Sequence, residues 1–300
     1  MIVAFLRKHP VVTVLMAVLL IAGAACSKVV ISSTSIALHE LHPPRIQPQR
    51  PAAEAALTNM QDITFTTADG VLLSGWYVPS RNRAAVILGH GFSANREEML
   101  PEARLLTEAG FGVLLCDWRA HGASAGTQCT WGDGERKDVS AAIDFLVARP
   151  ELDAQRIGGL GVSLGGIIMV LAAAEDRRLS AVASEAVWSS FSEVIRLEPP
   201  RWGPISTWPQ LMVFRRAGLD LEAIRPVDAV TTFGSRPLLL MYGGKDQWNP
   251  PEMRAQISAA APLAEIWLVP EAEHAKCRAA RPEEYANRIV TFFSRALLSP

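Results

Sequence analysis

A serine hydroxyl is a poor nucleophile at neutral pH unless a base takes its proton and fixed donors hold the charge that develops. Gly161-Val162-Ser163-Leu164-Gly165 offers the first part of such a site. The pattern G-x-S-x-G holds a serine on a tight turn between a strand and a helix, where side chains two positions away on either side would collide. Its context fits, because residues 156–162 form a short apolar run and Leu164 to Ala174 an apolar run of helical length. Alone, five residues are a weak signal; the strand–turn–helix setting makes Ser163 the expected nucleophile.

The base must be a histidine within reach. Of six, His9 stands beside an apolar N-terminal stretch, and His39 and His42 fall in a proline-rich segment. His90, His121 and His274 remain. A lone loop histidine is ordinarily a solvated surface group, but His274 follows the last strand-like run, after both the serine and a candidate acid, which is the chain order such a triad takes. Asp246, in GGKDQWNPP after the run RPLLLMYG, is the expected acid, which would hold the imidazole's tautomer. Loops beyond the carboxyl ends of parallel strands are where such sheets place function. Glu185, at the end of LSAVASEA, is the second candidate, and a turn-forming Asp is the bland reading of Asp246. The oxyanion donors are expected to be the backbone N–H groups of Leu164 and of Phe92, in the loop His90-Gly91-Phe92-Ser93, with His90 structural.

The elements that position these residues alternate. ITFTT and VLLSGWYV, joined at Asp69-Gly70, read as a hairpin. AAVILGH, FGVLLCDW, RIGGLGV, LSAVASEA, RPLLLMYG and AEIWLVP are short apolar runs of strand type. Helical spacing fills Arg96–Ala109, Glu135–Ala148, Leu164–Ala174 and 282–297. Alternation of this kind implies an α/β fold with a mainly parallel central sheet flanked by helices. About fifty residues separate LSAVASEA from RPLLLMYG, and a cap over the nucleophile is expected at about 190–232. Trp188, Trp202 and Trp208 are candidates for a substrate pocket beneath it, against the alternative that they only pack. Arg215-Arg216 reads as a solvated face, with contact to an anionic lipid or substrate as the alternative.

At the N-terminus, Arg7 and Lys8 precede an apolar stretch from Pro10 to Cys26. Residues 1–31 read as a signal peptide or membrane anchor, 32–60 as a linker containing Pro43, Pro44, Pro48 and Pro51, and 61–300 as the catalytic domain. The charge placement puts the N-terminus inside and the rest outside, anchored or exported. The ending Gly23-Ala24-Ala25-Cys26 is a weak lipoprotein box. Four cysteines lack C-x-x-C spacing, so no structural metal and no cofactor is expected. Cys116 reads as core, and Cys129 with Cys277 as a conceivable disulfide. With 29 basic and 30 acidic residues, and no basic stripe, a nucleic-acid partner is not expected.

These motifs together resemble the α/β-hydrolase superfamily over residues 40–298, and most closely membrane-associated bacterial hydrolases of the serine aminopeptidase-like and Bem46-like groups. The likeness is carried by LGHGFSANRE, GVSLGG, YGGKDQWNPP, the segment around His274, and Asp117, Arg119, His121, Gly122 and Ser124 in a D-x-R-x-H-G-x-S turn that the resemblance implies is structural. One departure is EAEHAK, where many relatives carry glycine before the histidine; Glu273 there either raises the pKa of the base or faces solvent. The resemblance implies hydrolysis of a small-molecule carboxylic ester or related acyl bond through an acyl-enzyme. A non-catalytic membrane-tethered binding protein, or an acyltransferase or peptidase using the same triad, are the alternatives.

Overall fold

The computed structural model describes residues 9–197 and 201–299; Arg7 and Lys8, named above, lie outside them. Two helices come first, α1 (Pro10–Leu41) and α2 (Arg50–Ala56). The expected hairpin follows as β1 (Gln61–Thr66) and β2 (Leu72–Val78). Then strands and helices alternate: β3 (Ala85–Gly89), α3 (Leu100–Glu108), β4 (Gly112–Cys116), α4 (Glu135–Val147), β5 (Ile157–Val162), α5 (Leu164–Glu175) and β6 (Leu179–Glu185). The cap contributes α6 (Phe191–Val194), α7 (Pro204–Arg216) and α8 (Pro226–Ala229). The chain closes with β7 (Leu238–Gly243), α9 (Pro251–Ala260), β8 (Glu265–Val269), α10 (Cys277–Ala280) and α11 (Pro282–Leu298).

The eight strands form one sheet in the order β1-β2-β4-β3-β5-β6-β7-β8. β1 and β2 run antiparallel and β2 pairs antiparallel with β4; every pairing from β4 through β3 to β8 is parallel. β3, β4, β5 and β7 are buried along their whole length. That is why they read as unbroken apolar runs: helices cover both faces, so no residue faces water. One core holds α5, much of α4, the cap and the end of α1, around Ile167, Leu171, Phe191 and Leu41. The other lies under α2, α3 and α11, around Trp76, Leu106, Ile289 and Phe293. Cys129 belongs to the first core and Cys277 to the second. Both are free and buried, so the disulfide considered from sequence does not form; the sheet stands between them.

The second correction concerns residues 32–60. The helix that begins at Pro10 does not end with the apolar stretch but continues to Leu41, where Pro43 and Pro44 forbid its extension. Its last three turns bury Val29, Ser33, Ala37 and Leu41 against the domain, and α7 packs along it. Beyond it the chain is tied down as it crosses the domain: His42 Nδ1 meets Thr127 O at 2.8 Å, Arg45 Nη1 donates to Ser124 O at 2.7 Å, and Asn95 Nδ2 donates to Ile46 O at 3.0 Å. α2 then packs on α3. The segment is part of the fold rather than a spacer.

Candidate active site

Ser163 stands between β5 and α5 with φ 52° and ψ −119°, a left-handed backbone that a residue with a side chain adopts only under constraint. The constraint is close packing of backbone on backbone. A Cβ on Gly161 would collide with the carbonyl group of Gly165, and one on Gly165 with the carbonyl group of Gly89. Only glycine at both positions lets the turn close, which is the steric content of the motif. Ser163 N–H donates to Glu185 O at 2.9 Å, fixing the elbow to the end of β6.

The loops after β7 and β8 bring the other two residues to it. His274 Nε2 lies 2.8 Å from Ser163 Oγ, and His274 Nδ1 lies 2.8 Å from Asp246 Oδ2. The neutral tautomer that satisfies both contacts has Nδ1–H donating to the carboxylate and Nε2 accepting from the hydroxyl. Asp246 receives further N–H bonds from Trp248 at 2.8 Å and Asn249 at 3.3 Å, and from Asn249 Nδ2 at 3.1 Å. Burial works to raise its pKa, but the bonds and charge of His274 and these donors outweigh it and hold the carboxyl below its ordinary range. It is therefore ionised and acceptor-only, as an imidazole-orienting group must be. The Asn249 amide also donates to Ala186 O at 3.1 Å, a brace on the acid loop that the sequence did not flag.

Glu185, the second candidate acid, is placed elsewhere. Its Oε1 accepts from Cys277 N–H at 2.8 Å, and burial pushes its pKa above the usual carboxylate range. It holds the start of α10, three residues past His274. Glu273 is exposed to solvent. In the loop after β3, Gly91 N–H is taken by Glu98 Oε2 at 2.6 Å, and the ring of Phe92 stands in the cavity wall. Leu164 is the first residue of α5, so its N–H has no partner within the helix. His90 is fully buried, its Nδ1 2.8 Å from Gly91 O and its Nε2 accepting from Trp118 N–H at 3.1 Å. That makes it structural, as expected. The D-x-R-x-H-G-x-S turn is wired the same way: Asp117 accepts from Arg96 N–H and Ala123 N–H, each at 2.8 Å, and Ser124 Oγ donates to Asp117 O at 2.7 Å.

A cavity of about 700 Å3 opens above Ser163 and His274. Its wall is a run of stacked rings: Phe92 on Trp131 at 5.1 Å, Trp131 on Phe191 at 4.9 Å, and Phe191 on Trp188 at 5.7 Å. Of the three tryptophans expected in the pocket, only Trp188 is there. Trp202 and Trp208 are 51% and 62% exposed on the outside of the cap; for Trp208 this is because α7 turns Ser206, Pro209, Gln210 and Phe214 inward instead. Trp131 and Phe191 were missed, since neither sits in a recognisable pattern. The unexpected wall is α1: Ser32, Ser35, Ile36, His39 and Glu40 line the cavity. Their spacing of three and four residues is one helical face, a signal present in the sequence but hidden by reading the segment as a linker. Among the described residues no group of three or more His, Cys, Asp or Glu side chains is placed to hold a metal ion.

Residues 47–233 match the family described as X-Pro dipeptidyl-peptidase, S15. The match includes Ser163 and ends before Asp246 and His274. The chain is 26% identical over 247 residues to the uncharacterized protein YfhR of Escherichia coli K12, covering 79% of this chain and 81% of that one. It is 31% identical over 199 residues to the polyketide transferase ATR5 of Stachybotrys chlorohalonatus, covering 65% and 61%. Among solved structures, the Pyrococcus furiosus esterase Pf2001 superposes with a TM-score of 0.73 at 25% identity, over 86% of this chain and 98% of that one. The sheet order, the helices on both faces and the family match agree: this chain is a hydrolase of the α/β-hydrolase superfamily and belongs to the S15, X-Pro dipeptidyl-peptidase, family.

Proposed function

We propose that the protein is a serine hydrolase that cleaves a carboxylic ester through an acyl-enzyme, with Ser163 as nucleophile, His274 as base and Asp246 as the acid. The observation that carries this is the continuous chain of contacts Ser163–His274–Asp246, each 2.8 Å, at the floor of the aromatic cavity. In this reading Ser163 Oγ attacks the carbonyl carbon while His274 Nε2 takes its proton. The imidazolium is stabilised by the ionised Asp246, and the oxyanion is held by the N–H groups of Leu164 and Phe92. His274 then protonates the leaving alcohol, and a water activated by the same imidazole releases the acid. Commitment of Gly91 N–H to Glu98 supports Phe92 as the donor from its loop. The ring-lined wall, with Trp188 in it, suits the apolar part of an acyl or alcohol group.

The apolar part of α1 is long and apolar enough to cross a membrane. We read it as an anchor that leaves the catalytic domain outside the cytoplasm. The experiment is fluorophosphonate labelling of the purified protein. Labelling of the parent, its absence in Ser163→Ala and at least a hundred-fold slowing in His274→Ala are expected. Equal labelling of parent and Ser163→Ala would sink the assignment. Product analysis with an added alcohol acceptor separates hydrolysis from acyl transfer.

A further inference from the structure

The helix that is apolar enough to span a bilayer is the same helix that walls the cavity, and the change from one role to the other falls at a definite residue. From Pro10 to Ile31 its surface is apolar and, apart from Val29, which packs on the domain, largely open, with Val11, Val14, Leu15, Val18, Leu19, Leu20, Ile21 and Ile31 exposed. About 22 residues at 1.5 Å each make roughly 33 Å, the thickness of a hydrocarbon core of about 30 Å with slight tilt. The charge in this length among the described residues is Lys28, exposed near its end, where a long side chain reaches the headgroups. Ser32, the next residue after Ile31, already lines the cavity, followed by Ser35, Ile36, His39 and Glu40 on the same face. A bilayer around residues 10–31 therefore ends where the cavity begins.

The cap supplies a second, independent observation. α7 packs along α1 and exposes Ile205 and Trp208, and Trp202, two residues before its start, is exposed as well. Two exposed tryptophans and an isoleucine within seven residues are costly in water, whereas tryptophan is favoured at the headgroup level of a membrane. Arg201, Arg215 and Arg216 on the same stretch are exposed as well, which suits an anionic headgroup layer.

The geometry points to a cavity that takes its substrate from the membrane: an acyl ester of a lipid-like amphiphile, passing along α1 to Ser163, while Trp202, Ile205 and Trp208 seat the cap in the bilayer interface. This rests on the hydrolase reading above. It goes further by naming the substrate class and the surface that delivers it. An amphiphile fits both halves of the path, since its chain can remain against the apolar length of α1 while its ester reaches the polar turn at Ser32 and Ser35. The rings of Phe92, Trp131 and Phe191 then receive the acyl end.

The test uses the full chain reconstituted in phosphatidylcholine–phosphatidylglycerol vesicles. Lipids brominated at acyl carbons 6 and 7 quench tryptophan by contact. They are expected to quench the parent more than Trp202→Phe/Trp208→Phe, because the removed rings are those nearest the bilayer. Two ester probes are compared in the same vesicles, p-nitrophenyl acetate in the water and 4-methylumbelliferyl palmitate in the bilayer. Trp202→Ser/Ile205→Ser/Trp208→Ser is expected to lower the ratio of bilayer to water-phase rates about five-fold or more. Equal quenching in parent and double variant would overturn the proposal. So would an unchanged rate ratio, or a patch whose removal alters only the self-association of the chain. Quenching does not depend on turnover, and failure of the hydrolase reading shows separately as loss of both rates and of fluorophosphonate labelling.

Discussion

Two histidine–carboxylate groups lie on either side of the loop that carries Phe92, built from the same residue types and doing opposite things. On one side, His274 is half-open to the cavity, with one ring nitrogen on Asp246 and the other on Ser163. On the other, His90 and His121 sit with ring centroids 5.2 Å apart, both fully buried, near Asp117. His90 spends both nitrogens on backbone groups, and Asp117 spends its oxygens on N–H donors and on Arg96, whose guanidinium lies 4.6 Å over the Trp76 ring. Residue type therefore decides little. In the proposed mechanism, what would make an imidazole a base is one nitrogen oriented by an ionised carboxylate and the other facing both a hydroxyl and open space. What makes it a brace is two backbone partners and no space.

The largest effect that tests this contrast is Asp246→Asn. The amide would keep the loop but favour the wrong tautomer of His274, and kcat on p-nitrophenyl acetate is expected to fall about 10³–10⁴-fold, on the order of 4–5 kcal/mol of transition-state stabilisation. Glu185→Gln, at the carboxylate that holds Cys277, is expected to cost less than ten-fold. If the two losses were exchanged, Glu185 would be the acid and the contact geometry misleading. The buried side should respond in stability instead. Asp138 accepts three bonds from Arg119, from its backbone N–H at 2.9 Å and from Nε and Nη2 at 2.9 and 2.7 Å, with both side chains buried. Asp138→Ala leaves that guanidinium with Asp69 as its remaining carboxylate. A loss of about 3–5 kcal/mol is expected, seen as a drop in Tm on the order of 10 °C, with kcat per folded molecule within about three-fold. A catalytic loss without a change in Tm would place this turn in the chemistry and dissolve the contrast.

The same contrast explains what could be read from the chain. The elbow and the sheet were legible because each depends on local rules, whereas the grouping of Ser163, Asp246 and His274 was an expectation from their order along the chain. Gly161 and Gly165 are required by backbone packing on the spot, and strands buried on both faces must be apolar throughout. The brace role of His90 was legible as well, from its place in the loop after β3. What was not legible depends on which surface meets which. Trp188, Trp202 and Trp208 are alike as letters, and only the packing of the cap decides that Trp188, just after β6, enters the cavity while Trp202 and Trp208, at and before α7, face outward. Cys129 and Cys277 both read as loop cysteines, and nothing local says that a sheet lies between them. The prolines after residue 42 drew attention from the helical spacing of Ser32, Ile36 and His39 before them, so the wall that α1 supplies was missed.

The smallest and most specific test concerns protonation of the brace. Burial first, and then the neighbouring charges of His121 and Arg96, push the pKa of His90 down to about 3, against an ordinary value of about 6.5. Between those values the unfolded chain binds a proton at this position and the folded chain does not, so this site favours unfolding increasingly as pH falls. Its contribution is intact above about pH 6.5 and is lost progressively toward pH 3, by up to about 1.4 kcal/mol per pH unit. In His90→Gln the amide oxygen can still accept from Trp118 N–H, while the bond to Gly91 O is lost, at a cost of about 1 kcal/mol at pH 7.5. The variant has nothing to protonate there, so its Tm should start lower than that of the parent at pH 7.5, meet it near about pH 6 and lie above it by about pH 5. Titrating groups away from this pair are common to both proteins and cancel in the difference, while His121, 5.2 Å away, titrates coupled to His90. Parallel Tm curves would mean that His90 can take up a proton in place, and that its burial is not what separates it from His274.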